Sequence, residues 1–397
     1  MTASRFSGWN SLLLSGLLAV LPAWANDLAG PRYQVQGFAA QGLIGSTNNY
    51  FFGDSRNSVS TEFTEAGIHG SWQPLDALRL SGQVLYRHAG ESDQDGLRLD
   101  YAQADWHFYQ TDVTQLGIKF GKVKLPYGLY NETRDVPFTR PGILLPQSIY
   151  VDNSRDLLLA APGFFLHGAS VQKYGAIDLL LGWVRPDFDS ESVEYVFLVR
   201  SRPGKLEGTG ALGARLRWDL PTDTTLMLTY ADAKAEYKPG SPDSLAAGNI
   251  RYRNLLVAVQ QRLDTLTLTA EYGEPRGALR DFVALPDSSR SAQAFYLQSE
   301  WRFHPEWELM LRYDAFYRDQ DDKNGRRFQA ATGLPAHGMF IRDWTLGLRW
   351  DVTPNLMLRT EYHHVNGTGW LPGPDNPDLI DREQRWNMWL FEAAYRF

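Results

Sequence analysis

The chain has 397 residues, including 13 Trp, 19 Tyr and 20 Phe, with 39 basic and 46 acidic residues, a net charge of −7 and no cysteine. Its mean hydropathy is −0.36. Beyond the first 25 residues no apolar run approaches the roughly 20 residues of a spanning helix, which excludes a helical membrane protein. The aromatic content excludes disorder, the acidic balance argues against a generic nucleic-acid binder, and the lack of cysteine removes disulfide frameworks, zinc ribbons and thiol catalysis.

Residues 1–25 read as an export signal. Arg5 supplies the basic start, Ser11 to Leu21 form a short apolar stretch, and Ala23-Trp24-Ala25 gives a small-residue cleavage site. The apolar run is short for an anchor helix, and no cysteine follows it for lipid attachment. The remaining 26–397 are expected to form one domain.

That domain alternates polar and apolar residues with a period of two. In Trp307 to Asp319, Trp307, Leu309, Leu311, Tyr313, Ala315 and Tyr317 share one face, and Glu308, Arg312, Asp314 and Arg318 share the other. The same alternation runs through 343–351, 355–363 and 389–397. Strands are expected near 33–44, 61–73, 76–89, 97–110, 112–124, 163–174, 176–185, 209–219, 223–236, 250–262, 265–274, 291–304, 307–319, 340–352, 355–367 and 384–397. Short and long connections interleave strictly, with aromatics gathered at the strand ends. This pattern predicts an all-β, transmembrane antiparallel up-and-down barrel of about 16 strands, with fourteen or eighteen also compatible.

A closed barrel satisfies every backbone group within hydrocarbon, and mid-depth charge facing lipid costs roughly 2–4 kcal/mol. The charged phase of each strand must therefore face inward. Candidate pore-wall residues are Arg79, Lys119, Arg215, Arg217, Arg312, Asp314, Arg349, Arg359 and Glu361, with Arg87, Glu271, Glu300 and Arg302 on the same phase. Sixteen strands enclose an aqueous channel and not a packed interior.

The connection at about 125–162 is the longest. Four prolines in 126–146 preclude a strand there, and the apolar Ile143-Leu144-Leu145 is out of place in an exposed loop. Folded into the barrel, the segment would narrow the channel; as a surface loop it would form a lid or a subunit contact. The candidate constriction residues are Lys122, Lys124, Arg134, Asp135, Arg140, Arg155 and Asp156, whose mixed charge would set a transverse field without a single-sign filter.

Three segments carry a resemblance: Phe120-Gly121-Lys122 followed by Pro126-Tyr127-Gly128, Arg134-Asp135 followed by Arg140-Pro141, and the terminal Ala393-Ala394-Tyr395-Arg396-Phe397. With them the chain resembles Gram-negative outer-membrane porins, and more narrowly the superfamily that includes phosphate-selective porin O/P-like proteins. The resemblance implies an outer-membrane location after export through the periplasm, and contact with outer-membrane lipid and lipopolysaccharide. It also implies a homotrimer with one channel per subunit, a constricting third loop, and a terminal aromatic read by the barrel-assembly machinery. The chain departs from the phosphate-selective pattern in having only eight lysines, with its arginines interspersed among acids.

No catalytic, cofactor or metal site is expected. The chain contains no G-x-S-x-G, H-E-x-x-H or phosphate-cradling glycine loop. His363-His364 is the only cluster of histidines in sequence; strand neighbours point to opposite faces, so both are expected to be solvated or interfacial. The aspartate-rich 319–325 lacks calcium-loop spacing. The sequence thus points to a passive porin for small hydrophilic solutes and ions. The alternatives are a substrate-specific channel, in which Arg134, Arg140 and Arg155 grip a carboxylate or phosphate, and an outer-membrane barrel enzyme.

Overall fold

The computed structural model describes residues 32–91, 93, 96–152, 155–198, 202–283 and 285–397, apart from the side chain of Asp156. The expected export signal lies outside these residues. In chain order the strands are β1 Tyr33–Ser46, β2 Val59–Leu75, β3 Leu78–Ala89, β4 Gly96–Gln110, β5 Thr114–Lys124, β6 Ala160–Gln172, β7 Gly175–Val184, β8 Lys205–Asp219 and β9 Thr224–Lys238. They continue with β10 Gly248–Leu263, β11 Leu266–Gly273, β12 Arg276–Arg280, β13 Ser288–Ser291, β14 Gln293–His304, β15 Trp307–Tyr317, β16 Phe340–Asp351, β17 Leu356–Gly367 and β18 Arg385–Arg396. Three short helices, α1 Arg155–Leu159, α2 Glu191–Leu198 and α3 Arg326–Thr332, lie in the connections.

Every strand pairs antiparallel with its neighbours, and β1 closes on β18 with Phe38 opposite Arg396 and Ser46 opposite Met388. Both β11 and β12 pair with β10, so they are two halves of one barrel strand. The break falls at Glu274-Pro275, where proline has no N–H for the ladder. Its partner is interrupted in the same place, between β13 and β14, where the Ala292 N–H donates to the Pro275 carbonyl at 2.7 Å. The eighteen segments therefore form sixteen barrel strands, as the alternation predicts. Tight turns fill one end of the barrel, and connections up to 125–159 in length fill the other.

The seam shows how local sequence fixes closure. The Phe397 N–H and carbonyl exchange bonds of 3.0 Å with Gly37. A Cβ at Gly37 would lie 2.4 Å from the Phe397 ring, so any larger residue there makes the terminal aromatic shift.

Outside, the apolar phase is bare: Leu43, Leu116, Leu181, Leu216, Val257, Leu297, Leu311 and Leu346 are all exposed. Trp72, Trp106, Phe108, Tyr174, Trp301 and Phe303 ring the tight-turn end, while Trp183, Trp344, Tyr362 and Trp389 ring the other. An apolar belt of this extent is stable only against hydrocarbon. The packed core lies inside the barrel at the long-loop end. There Val123, Tyr127, Tyr130, Leu145, Ile149 and Tyr150 meet Phe188 and Val193 of the 185–204 connection and Ala233, Ile250, Leu256 and Tyr296 of the wall.

Candidate functional site

The segment 125–159 leaves β5 at Pro126, which cannot continue the ladder, and its backbone is bound by inner-wall side chains. Glu361 accepts the Ile143 N–H at 2.7 Å and the Leu144 N–H at 3.3 Å. Asp314 accepts the Ser148 N–H at 3.1 Å. Arg312 donates to the Leu144 carbonyl at 3.1 Å. Arg359 donates to the carbonyls of Pro137, Gly142 and Arg140 at 2.9, 3.0 and 2.5 Å. A loop without regular structure leaves its backbone groups unpaired, and buried groups must find partners; here the charged strand residues supply them.

Glu271 accepts three bonds from the loop and the wall. It takes the Leu129 N–H at 3.0 Å and the hydroxyls of Tyr150 and Tyr296 at 2.6 and 2.7 Å. Tyr150 Oη in turn accepts the Tyr130 N–H at 3.1 Å, and Tyr127 Oη accepts from Asn254 at 2.7 Å. Ile143 and Leu144 bury against Ile44, Phe51, Phe52, Val365 and Trp386, and Leu145 joins the tyrosine cluster. Their place inside the barrel accounts for an apolar triplet in a long connection.

The candidate constriction residues meet acids at contact distance. Asp135 is fully buried between Lys124 and Arg155, and Lys124 also reaches Asp100 at 3.0 Å. Burial alone would push the Asp135 carboxyl up; Lys124 and Arg155 more than reverse this and hold it well below the usual carboxylate range. Arg140 grips Glu65 at 2.8 Å and Glu392 at 2.9 Å. Arg134 donates to the Tyr150 carbonyl at 3.1 Å and to Asp152 at 3.4 Å. Burial, then the nearby Arg155, brings its guanidinium down to about 10, so it stays charged at neutral pH. Arg87 links the two groups through Glu65 at 3.0 Å and Asp152 at 3.2 Å, and also meets Asp93.

Lys122 stands apart from this network. It leaves β5 by alternation on the side of Phe120 and donates to the Leu99 carbonyl at 2.7 Å. Lys124 has the same parity, yet at the end of the strand it turns to Asp100 and Asp135, so the contacts and not alternation separate the two lysines. The side chain of Asp156 lies outside the described residues.

Among the wall residues, Arg312, Asp314, Arg359 and Glu361 hold the loop, and Arg215 joins it through Glu132 while pairing Asp178 at 2.7 Å. Arg217 pairs Asp219 at 2.8 Å, and Arg349 pairs Asp351 at 2.9 Å. Arg79 and Lys119 each stand opposite Asp105 across the ladder, nearer the tight turns. The transverse field expected from the loop's charges is therefore replaced, at Arg134, Asp135, Arg140 and Arg155, by neutralised contacts. His363 is buried, not solvated: Asp343 and Glu361 bind it at 2.7 and 3.2 Å, while His364 points to the other face and meets Asn387 at 2.8 Å. Sequence reasoning missed Glu65, Glu392 and the three loop tyrosines. The inward phase of β2 and β18 marks the two glutamates; no local pattern marks the tyrosines.

No protein-family model matches the chain, and no curated protein sequence matches it. Solved structures do. The outer membrane channel DcaP of Acinetobacter baumannii superposes with a TM-score of 0.56 at 12% identity, over 92% of this chain and 97% of that one. OmpF of Salmonella typhi, in a complex with daunomycin, gives 0.55 at 14% identity over 92% and 97%. An anion-selective porin from Comamonas acidovorans gives 0.55 at 10% identity over 92% and 99%. At these identities the likeness is one of fold, that of the closed antiparallel barrel described above.

Proposed function

We propose that the chain is an outer-membrane porin of a Gram-negative bacterium, a passive and non-enzymatic channel for small hydrophilic solutes and ions. The observation that carries this reading is a closed sixteen-stranded barrel, apolar outside, whose charged inner wall holds the 125–159 loop within the lumen. A loop so held narrows the passage without a moving part. Because Arg134, Asp135, Arg140 and Arg155 are paired, the selectivity is set by width and by the less neutralised charges nearer the tight turns, Arg79 and Lys119 among them. The three solved relatives are described as a channel, a porin and OmpF, which supports the same reading. A homotrimer embedded in lipid and lipopolysaccharide, assembled through the terminal Phe397, belongs to this proposal. Phosphate selectivity does not, since the loop cations that would serve it are already bound to carboxylates.

Planar-bilayer recording of purified protein under a salt gradient tests the reading. Stepwise openings in groups of three are expected, and the sign of the reversal potential gives the ion preference. Folded, inserted protein without conductance would refute the porin reading and direct attention to lipid or peptide hydrolysis.

A second reading, a substrate-specific channel, gains support from a cavity of about 430 Å³ among the long connections. Its wall includes Ile149, Leu157, Phe197, Leu279 and Phe316, together with Arg202, Arg290 and Arg318. None of these three arginines forms an ion pair among the described residues. Saturable block by an aromatic carboxylate, lost in Arg318→Gln, would favour this reading over simple diffusion.

A further inference from the structure

Three half-buried side chains on the inner wall take no part in holding the loop. Asp105 and His107 lie two apart on β4 and so share a face, while His167 lies on β6. The strand between them, β5, places Gly117 opposite both His107 and His167. Two strand spacings, roughly 10 Å, separate β4 from β6, and a side chain on β5 would keep the imidazoles apart. Gly117 has none. A Cβ there would lie 2.4 Å from His167 Nε2, so the imidazole occupies the space that glycine leaves.

The consequence is convergence of three donor atoms. His167 Nε2 stands 2.7 Å and His107 Nε2 3.3 Å from the same oxygen, Asp105 Oδ1. The rings are perpendicular, with centroids 5.3 Å apart. All three ligand atoms fall within 4.8 Å of one another. Zinc bonds imidazole nitrogen and carboxylate oxygen at about 2.0–2.2 Å, so tetrahedral ligands stand about 3.3–3.5 Å apart. One edge of the triangle already has that length, and the shorter needs about 0.6 Å of opening by side-chain rotation.

We propose that Asp105, His107 and His167 form a binding site for one zinc-class divalent transition-metal ion on the inner wall near the tight-turn end, with water completing the coordination. Two imidazoles and one carboxylate select zinc, copper or nickel over magnesium and calcium, which demand oxygen. Arg79 and Lys119, each opposite Asp105, oppose a second positive charge and keep the site weak enough for reversible occupancy. An ion held there adds positive charge to the lumen between the loop and the tight-turn mouth.

Isothermal titration of the detergent-folded full chain with zinc, in a large excess of magnesium, tests the site independently of channel activity. One zinc per chain is expected, weakened at least tenfold in His107→Ala and in His167→Ala and unchanged in His364→Ala. Asp105→Asn, which keeps the side-chain volume, carries the test if a histidine variant fails to fold, with heat-modifiable gel mobility as the check of folding. Absence of zinc binding, or binding indifferent to both histidines and to Asp105→Asn, would overturn the proposal. In bilayers, zinc should lower wild-type conductance and leave His167→Ala unaffected. Protein that binds zinc through these residues but never conducts would support the metal site while refuting the porin reading.

Discussion

Arg359→Met removes the guanidinium that fastens the middle of the inward loop while keeping most of its length and apolar stem. The buried Arg359 donates to the carbonyls of Pro137, Arg140 and Gly142. Hydrogen bonds from a charged donor contribute about 1.5–3 kcal/mol each, and bonds within one network do not add in full. A loss on the order of 5 kcal/mol is expected, equivalent to three or four powers of ten in the local opening equilibrium at about 1.4 kcal/mol per tenfold. The barrel survives, because its ladder is untouched, and Glu361, Asp314 and Glu271 still hold 129, 143, 144 and 148. Opening is therefore confined to about 136–142. Hydrogen exchange read by mass spectrometry should show faster exchange in this segment alone, and single-channel conductance should rise with greater open-channel noise. Wild-type exchange in 136–142, in a variant whose barrel is folded, would refute the claim that Arg359 holds this part of the loop.

Asp135→Asn leaves Lys124 and Arg155 facing each other and should destabilise the docked loop by about 3–5 kcal/mol, measured as a lower midpoint for its exposure to protease. Because the Asp135 pKa is depressed on folding, its contribution is complete above the ordinary carboxylate pKa of about 4 and fades as pH falls below it. Wild type and Asp135→Asn should thus differ by a constant margin from pH 8 to 5 and converge in stronger acid; a gap that grows on acidification would contradict the assignment. Gly37→Val should push the Phe397 ring aside, given the 2.4 Å approach, and lower the temperature at which the compact heat-modifiable gel band is lost; an unchanged temperature would refute that account of the seam. Lys122→Gln should leave conductance within the scatter of wild type, whereas Arg140→Gln, which takes one cation from Glu392 and leaves Glu65 with Arg87 alone, should raise cation selectivity measured by reversal potential. Equal effects from the two would mean that Lys122 lines the passage after all.

The barrel was legible because one rule acts at every position: lipid outside and water or charge inside impose a period of two on each strand. Alternation locates β15, β16 and β17 almost to the residue. It does not foresee the split of β11 from β12, because a proline break beyond the main ladder looks in sequence like the start of a loop. The loop's inward course was legible in Ile143-Leu144-Leu145, whose apolar run needs a buried partner. Its charge arrangement was not: sequence lists Arg134, Asp135, Arg140 and Arg155 as available, and only the cross-barrel contacts show that Glu65, Glu392, Asp152 and Lys124 occupy them. Parity does not separate Lys122 from Lys124; only the contact of one with Leu99 and of the other with Asp100 and Asp135 does. The same limit hid His107 and His167, sixty residues apart yet opposite one glycine, while the adjacent His363-His364 drew notice and point apart.

Liposome swelling with sugars of graded size tests the central claim most directly, because it reads both an open lumen and its width. Vesicles carrying wild-type protein should admit small sugars and exclude larger ones, and Arg359→Met should move the cut-off upward. No uptake of even the smallest sugar by correctly inserted protein would contradict the channel reading, and an identical cut-off in both proteins would contradict the role of the loop.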